Sequence, residues 1–380
     1  MSDGSGFEQD RDRIRGCLIG GAAGDALGYA VEFLRWRDIE ERYGSRGITQ
    51  YALQDGLARI SDDTQMTMFT VNGIILSRVH QCNQNDCIRR AYLDWYQTQT
   101  SSYDGGGGEG AGLLRGLRRR REPRTFTWLA DLPEMYVRRA PGNTCLSALS
   151  EGAAGTVRVP CNNSKGCGGV MRAAPIGVTA QGRCLDYAEG ADAAAITHGH
   201  PLGWLPAAAL THIVYVFCHY EQNRSLPKIA KETAAELERI YLSYPEAAAL
   251  RQLIEKAIAL AEQPEISDRA AIGQLGEGWV GEEALAIALY CAVKYRDDFD
   301  RMLTAAVNHD GDSDSTGAIA GNILGLIIGY DAIPEKYKTD LELHDTILTL
   351  ADDLCTAWKG TPTDPVRWER KYGACRRRLM

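Results

Sequence analysis

The segment from His309 to Tyr330, HDGDSDSTGAIAGNILGLIIGY, constrains the fold of this 380-residue chain more than any other, because an acidic cluster leads directly into a long apolar run. Within that run Gly317, Gly321 and Gly325 recur on one face of a helix. We therefore expect a core helix that a neighbouring helix can approach closely. The acidic residues at the start of this helix should be buried together with it.

These acidic residues allow two interpretations. Asp310, Asp312 and Asp314 lie at or just before the start of the predicted helix. One of them could be an ordinary N-cap, but capping needs only one side-chain acceptor, and neighbouring carboxylates repel one another when partly desolvated. The alternative is a divalent cation such as Mg²⁺, Mn²⁺ or Ca²⁺, each of which prefers hard oxygen ligands.

A second glycine-rich helix is predicted near the N-terminus, in GCLIGGAAGDALGYAVEF. Gly20, Gly24 and Gly28 recur every four residues, and each glycine costs a helix about 1 kcal/mol relative to alanine, so tight packing must compensate. For Asp25 we expect hydrogen bonds to backbone amides. For Glu32, near the helix C-terminus, where the dipole disfavours an anion, we expect a partner cation or a catalytic role.

A third acidic segment, SDDTQ, precedes another apolar helix face. Taken alone, Ser61, Asp62 and Asp63 are typical of a helix cap. Together with Asp312 and Asp314 they supply four negative charges, which two divalent cations would neutralise. A site with two metal ions about 3.5–4 Å apart is one recurrent solution.

Three further features are candidates for substrate contact. The segment Ser164–Gly169 offers backbone amides unobstructed by side chains, which either cradle phosphate oxygens or form a plain turn. His198 and His200 could bind a metal only with further ligands, so capping or ligand contact by His198 is the preferred interpretation. Trp279 either belongs to the core or lines a cleft.

Composition excludes several classes of protein. The net charge of −8 argues against general binding of nucleic acid or membrane surfaces. The Arg118–Arg121 run is a local exception, which we interpret as the solvated end of a helix. Eleven cysteines without a CxxC pair, and an N-terminus without an apolar leader, favour a reducing cytoplasm. The apolar runs are too short to span a bilayer.

The periodicity predicts an all-α protein. Apolar residues recur at helical spacing in most segments, and two-residue alternation is nowhere sustained. We therefore predict one multi-helix domain over residues 14–373, a flexible N-terminal arm over residues 1–13 and a basic tail over residues 374–380. A flexible glycine loop is expected at residues 105–112.

Taken together, these segments resemble the ADP-ribosylglycohydrolase family, which includes dinitrogenase reductase-activating glycohydrolase and the mammalian ADP-ribosyl-acceptor hydrolases. The resemblance extends from about Ile14 to Trp358. Its motifs, in the family's order, are GDALGYAVE, SDDTQM, PGNTCLSAL, SKGCGGVMRAAPIG, THGHP, GWVGEEAL and HDGDSDSTGAIAGNI. The resemblance implies a compact all-helical fold with a binuclear Mg²⁺ or Mn²⁺ centre that removes ADP-ribose from a modified side chain.

The resemblance also implies roles for individual residues. One metal would be bound by Ser61, Asp62 and Asp63, and the other by Asp312 and Ser315, with Asp314 shared between them. The family often has threonine where Ser61 and Ser315 stand, and serine keeps the hydroxyl ligand. The implied catalytic residues are Glu32, Asp63 and Asp314, and the implied substrate contacts are Ser164, Gly166, Cys167, Gly168, His198 and Trp279.

The expected reaction is hydrolysis of ADP-ribosyl-arginine on a modified protein, releasing ADP-ribose. Hydrolysis of O-linked or free ADP-ribose adducts is one alternative. Another is an immunity protein that also binds and blocks an ADP-ribosyltransferase toxin, with the arm of residues 1–13 as the occluding segment.

Overall fold

The computed structural model describes residues 4–103, 125–152, 154–182, 185–220 and 224–373. Over these ranges the chain forms α-helices, four short 3₁₀ segments and three isolated β-bridges, but no β-strand. The prediction of an all-α protein is therefore confirmed. The helices are α1 (Gly4–Tyr29), α2 (Trp36–Tyr43), α3 (Asp62–His80), α4 (Gln84–Thr100), α5 (Asn143–Ser150), α6 (Ala174–Thr179), α7 (Leu185–Ala195), α8 (Pro201–His219), α9 (Leu226–Ile240), α10 (Pro245–Ala261), α11 (Asp268–Ile272), α12 (Gly281–Lys294), α13 (Phe299–Val307), α14 (Ser313–Ile328), α15 (His344–Lys359) and α16 (Pro365–Tyr372).

The two glycine-rich helices, α1 and α14, pack against each other at the centre of the molecule. A Cβ atom placed on Gly20, Gly24 or Gly321 would lie less than 3.0 Å from backbone of the facing helix, closer than real Cβ atoms approach. Asn322 Nδ2 also donates to the Cys17 carbonyl at 2.8 Å. The close approach predicted from glycine spacing is thus observed, and each helix is the partner of the other.

The first turns of α1 differ from the predicted N-terminal arm. Residues 4–13 are helical, and Arg13 is buried and donates from Nε to the Leu326 carbonyl at 3.2 Å. Asp12 accepts the Asp331 amide at 3.0 Å. Residues 4–13 are thus the first turns of α1 and pack on the end of α14, while the flexibility predicted for the arm stays a prediction. The glycine loop, the Arg118–Arg121 run and the tail at 374–380 lie outside the described residues.

One hydrophobic core extends from Ile14 to Tyr372 and joins the helices into one unit. Among the described helices, α8 alone is long and apolar enough to cross a membrane, and 78% of its apolar window is buried inside the protein. Burial of this kind is typical of a core helix.

Candidate metal and substrate site

Three helix ends bring the predicted acidic residues together. Asp62 and Asp63 begin α3. Asp312 is the N-cap of α14, and Asp314 lies in the first turn of that helix. Glu32 lies in the turn that follows α1. Because α1 packs against α14, residues from opposite ends of the chain meet in one place, where all five side chains are buried.

Glu32, Asp312 and Asp314 form the tightest part of this acidic cluster. One carboxylate oxygen from each lies within 4.8 Å of the other two. Burial, and then the charges of Asp314 and Asp312, raise the pKa of Glu32 to about 10. Burial and neighbouring carboxylates also raise the pKa values of Asp62, Asp63 and Asp312 well above the ordinary range. The cluster is thus an unfavourable arrangement of like charges unless something positive neutralises it.

Helix capping explains only part of this arrangement. Ser61 Oγ accepts the Asp63 amide at 3.1 Å, and Asp312 Oδ1 accepts the Ser315 amide at 3.2 Å, so both residues are N-caps. Asp63 Oδ2 and Glu32 Oε2, however, are buried without a hydrogen-bond partner. Buried polar atoms are rarely left unpaired, so these two oxygens are available to bind a cation or a substrate group.

Two other acids have structural roles. Asp25 accepts the backbone amides of Ser61 at 3.0 Å and Thr64 at 3.1 Å, as well as the Thr64 hydroxyl. The structural role predicted for Asp25 is therefore confirmed, and this residue fixes the start of α3 on α1. Asp310 accepts the Trp36 amide at 2.9 Å at the start of α2 and is not among the three clustered carboxylates.

We expect Asp25→Ala to lower the free energy of unfolding by about 2–4 kcal/mol, because two backbone amides would lose their buried acceptor. Asp25→Asn should cost less, since its amide oxygen can still accept. Denaturant unfolding of the two variants measures the difference. Equal stability of the two variants would contradict the structural role.

The glycine segment Ser164–Gly169 lies against the acidic cluster. The Cys167 thiol donates to Asp312 Oδ2 at 2.8 Å, and burial, followed by the charge of Asp312, raises the pKa of this thiol. Three of the amides predicted to be open are already used, since those of Ser164, Gly166 and Cys167 donate to Asn162 Oδ1, Ser164 Oγ and the Trp279 carbonyl. The predicted supply of free amides is therefore too large.

The two histidines separate. His200 caps α8, with Nδ1 accepting the Leu202 amide at 3.1 Å. His198 is buried beside the glycine segment, and a Cβ atom on Gly168 would lie 3.2 Å from its Nε2. Burial, and then the charge of Arg172, lower the pKa of His198 to about 3, so the ring is neutral. Contact with a ligand remains the prediction for His198.

Trp279 lies at the rim of the site and is 39% exposed. Its indole stacks on Phe33, with ring centroids 6.1 Å apart and an interplanar angle of 19°. Its Nε1 donates to Glu277 Oε2 at 3.2 Å, and Glu277 Oε1 accepts from Arg35 at 2.8 Å. This exposure disagrees with a core position, and the cleft-lining role of Trp279 stays a prediction.

The family model for ADP-ribosylglycohydrolase matches residues 8–363, which is nearly the whole chain. The chain belongs to the ADP-ribosylglycohydrolase family. It is 22% identical to ADP-ribosylhydrolase ARH3 of Bos taurus, over 92% of this chain and 94% of that protein. It is 26% identical to ADP-ribosyl-[dinitrogen reductase] glycohydrolase of Rhodospirillum rubrum, over 87% of this chain and 91% of that protein.

A solved structure shares the fold. The chain aligns with an ADP-ribosylglycohydrolase-related protein complex with a TM-score of 0.57 and 22% identity, over 92% of this chain and 99% of that chain. At this identity the likeness shows the fold alone. It agrees with the family assignment and with the all-α prediction.

The acidic cluster of this ADP-ribosylglycohydrolase fits a hard divalent cation. Its donors are carboxylates, with the Ser61 and Ser315 hydroxyls buried beside them. Asp312 already accepts two hydrogen bonds, but an ionised carboxylate has about four lone-pair sites and keeps capacity for a cation. The unpaired oxygen of Asp63 adds one more donor atom.

Sequence analysis missed three residues of the rim, Phe33, Arg35 and Glu277. Phe33 is 72% exposed although it is a large apolar side chain directly after Glu32. Its place in the sequence could have identified it, because an aromatic residue next to a candidate catalytic acid is well placed to contact a ligand. No pattern in the sequence near Arg35 or Glu277 predicts that these two residues form an ion pair.

In the cation-free protein we expect stability to fall as pH rises from about 4 towards 10. Burial and Asp314 raise the pKa of Asp25 to about 7, and the pKa of Glu32 is raised to about 10. The folded state therefore binds more protons than the unfolded state in this window, and the free energy of unfolding decreases with pH. A group whose pKa differs by one between the folded and unfolded states contributes about 1.4 kcal/mol to this change.

Melting temperatures at pH 6 and pH 9, with EDTA or with Mg²⁺ or Mn²⁺, measure this dependence. The cation should raise stability most at pH 9. An identical pH dependence with and without the cation would show that no cation neutralises the cluster.

Proposed function

We propose that this protein hydrolyses the N-glycosidic bond of ADP-ribosyl-arginine on a modified protein, with two Mg²⁺ or Mn²⁺ ions as cofactors. The observation that carries the proposal is the buried acidic cluster, in which Glu32 keeps an unpaired oxygen beside Asp312 and Asp314. The relative from Rhodospirillum rubrum is named for removal of ADP-ribose from a protein. We assign one ion to Ser61, Asp62 and Asp63, and the other to Asp312 and Ser315, with Asp314 shared.

The chemistry requires stabilisation of positive charge at C1 of the ribose, because the bond to nitrogen breaks through an oxocarbenium-like state. Bound divalent cations would supply polarisation of ribose hydroxyls and of water. In this proposal Asp63 and Asp314 orient the attacking water, and Glu32 transfers a proton at its free oxygen. Water adds to C1 as the C1–N bond breaks, and the proton that the water loses passes through the Glu32 carboxyl group to the departing guanidine nitrogen.

An arginine acceptor is supported by the rim of the site. The Glu277 carboxylate is 48% exposed and already accepts a guanidinium, that of Arg35, at 2.8 Å. Trp279 and Phe33 present aromatic rings beside it, and guanidinium groups stack favourably on aromatic faces. We infer that a substrate guanidine leaves along this rim, while the diphosphate lies along the segment Ser164–Gly168 near His198.

The decisive experiment is mass spectrometry of arginine-, serine- and acetyl-linked ADP-ribose substrates after incubation with the protein and Mg²⁺ or Mn²⁺. We expect release from arginine. Release only from serine or acetyl substrates would leave the reaction class intact and overturn the acceptor.

Glu32→Gln should lower the rate of hydrolysis about 10²–10⁴-fold, the usual contribution of an acid or base. Its matched control is Glu277→Gln, which changes an acid at the rim outside the cluster. Because Glu277 contacts the acceptor in this proposal, we expect a raised KM for arginine substrates and a smaller change in kcat. Wild-type kcat in Glu32→Gln would contradict the proton-transfer role.

A further inference from the structure

Arg172 is a buried cation without a carboxylate partner among the described residues. Its side chain is 1% exposed. The guanidinium lies 4.4 Å from the centre of the Tyr92 ring and donates from Nη1 to Met66 Sδ and Cys145 Sγ at 3.4 and 3.3 Å, both weak acceptors. A buried charge held in this way is costly. An oxygen acceptor within reach of this guanidinium therefore matters.

That acceptor is the Thr197 hydroxyl, 2.6 Å from Arg172 Nη2. Arginine can only donate, so Thr197 Oγ1 accepts this hydrogen bond, and the hydroxyl hydrogen of Thr197 can still be donated to another acceptor. His198 Nδ1 lies 2.8 Å from the same oxygen. If Nδ1 carried the hydrogen, Thr197 Oγ1 would accept from both Arg172 and His198, and its own hydrogen would be left with the Cys145 sulfur, a weak acceptor. Donation to Nδ1 gives that hydrogen a nitrogen acceptor, so we assign it to Nδ1.

The consequence is a fixed tautomer of His198. If Nδ1 accepts, the proton of the neutral ring must lie on Nε2. Nε2 faces the glycine segment, because Cβ atoms on Gly166 and Gly168 would lie 3.4 and 3.2 Å from it. The described residues offer Nε2 no hydrogen-bond partner. An N–H group therefore points at the place where the diphosphate was proposed to lie.

We propose that Arg172 and Thr197 are positioning residues that hold His198 as an Nε2–H donor to an oxygen of the substrate diphosphate. The identity of the anion rests on the proposed function, whereas the tautomer rests on the hydrogen bonds that Thr197 makes with Arg172 and His198. Loss of the Thr197 hydroxyl would free Nδ1 to carry the proton and turn an acceptor lone pair towards the anion. Such a change weakens substrate binding without touching the acidic cluster.

The first test is NMR of the full-length protein with ¹⁵N-labelled histidine, in which long-range ¹H–¹⁵N correlations show which ring nitrogen carries hydrogen. The His198 signals are assigned by their absence in His198→Gln. We expect protonated Nε2 and unprotonated Nδ1 in the wild type and in Thr197→Ser, and loss of that preference in Thr197→Val. Protonated Nδ1 in the wild type would overturn the proposal, whether or not Thr197→Val folds.

The second test is calorimetric titration with ADP-ribose in the presence of Mg²⁺. Thr197→Val should weaken binding about 10- to 100-fold, as expected for loss of a hydrogen bond to a charged group. Thr197→Ser should stay within about two-fold of the wild type. In turnover, Thr197→Val should raise KM more than it lowers kcat.

The two tests separate the two proposals. A wild type with protonated Nε2 that binds no ADP-ribose would contradict the proposed function and support the tautomer. Unchanged ADP-ribose affinity in Thr197→Val would show that the hydroxyl does not position the donor.

Discussion

Replacing Asp314 by asparagine is expected to abolish hydrolysis, with a loss of at least about 10³-fold, and to make the cation-free protein more stable. Asp314 contributes to the raised pKa values of Glu32, Asp62, Asp63 and Asp312. Removing its charge relieves that repulsion when no cation is present. In the proposed site, the same change would remove the ligand that the two cations share and the negative charge that holds them.

The measurements are the hydrolysis rate and the melting temperature with EDTA and with Mg²⁺. The wild type should gain stability from Mg²⁺, and Asp314→Asn should gain much less. Asp310→Asn is the matched control, because Asp310 lies in the same acidic segment but bonds the Trp36 amide, which asparagine can still do. Equal cation responses in Asp314→Asn and the wild type would remove Asp314 from the metal site.

Gly24→Val is expected to prevent stable folding, because the free energy of unfolding should fall by more than about 4 kcal/mol. Ordinary domains have a free energy of unfolding of only roughly 5–15 kcal/mol. The new Cβ would meet the Gly317 carbonyl. Since that atom belongs to helix backbone, no side-chain rotation removes the clash. Separation of α1 from α14 would be the remaining way to relieve it, and the acidic cluster would separate with it.

Thermal unfolding and soluble yield measure this effect. Gly142→Val is a suitable control, because a Cβ there would meet only Asp62 Oδ2 at 3.9 Å, an ordinary contact. We expect Gly142→Val to change stability by less than about 1 kcal/mol. A Gly24→Val protein that melts like the control would contradict the close packing of the two helices.

The sequence predicted the features that have a local signature. Glycine every fourth residue indicated the close approach of α1 and α14, and helical periodicity indicated the all-α fold. Acid clusters at two helix starts indicated a shared site, and the structure brings Asp312 and Asp314 together with Glu32. The catalytic and ligand roles assigned to these residues stay predictions.

The features that sequence analysis missed depend on contacts between distant segments. Nothing near Cys167 indicates that its thiol bonds Asp312, and nothing near Phe33 indicates that it stacks on Trp279. The polar composition of residues 4–13 suggested mobility because a surface pattern does not show whether another helix end lies beneath. The Cys167 amide of the glycine segment looked free because its acceptor, the Trp279 carbonyl, comes from a distant part of the chain.

The pairing of α1 with α14 also has a consequence for biosynthesis. Cys17 and Asn322, which bond across the two helices, are separated by 305 residues. A ribosome adding about 5–20 residues per second needs at least about 15 s between them. During that interval the glycine face of the nascent α1 has no α14 to pack against. Translation that terminates before residue 312 would therefore yield a fragment prone to chaperone capture or proteolysis, without Asp312 and Asp314.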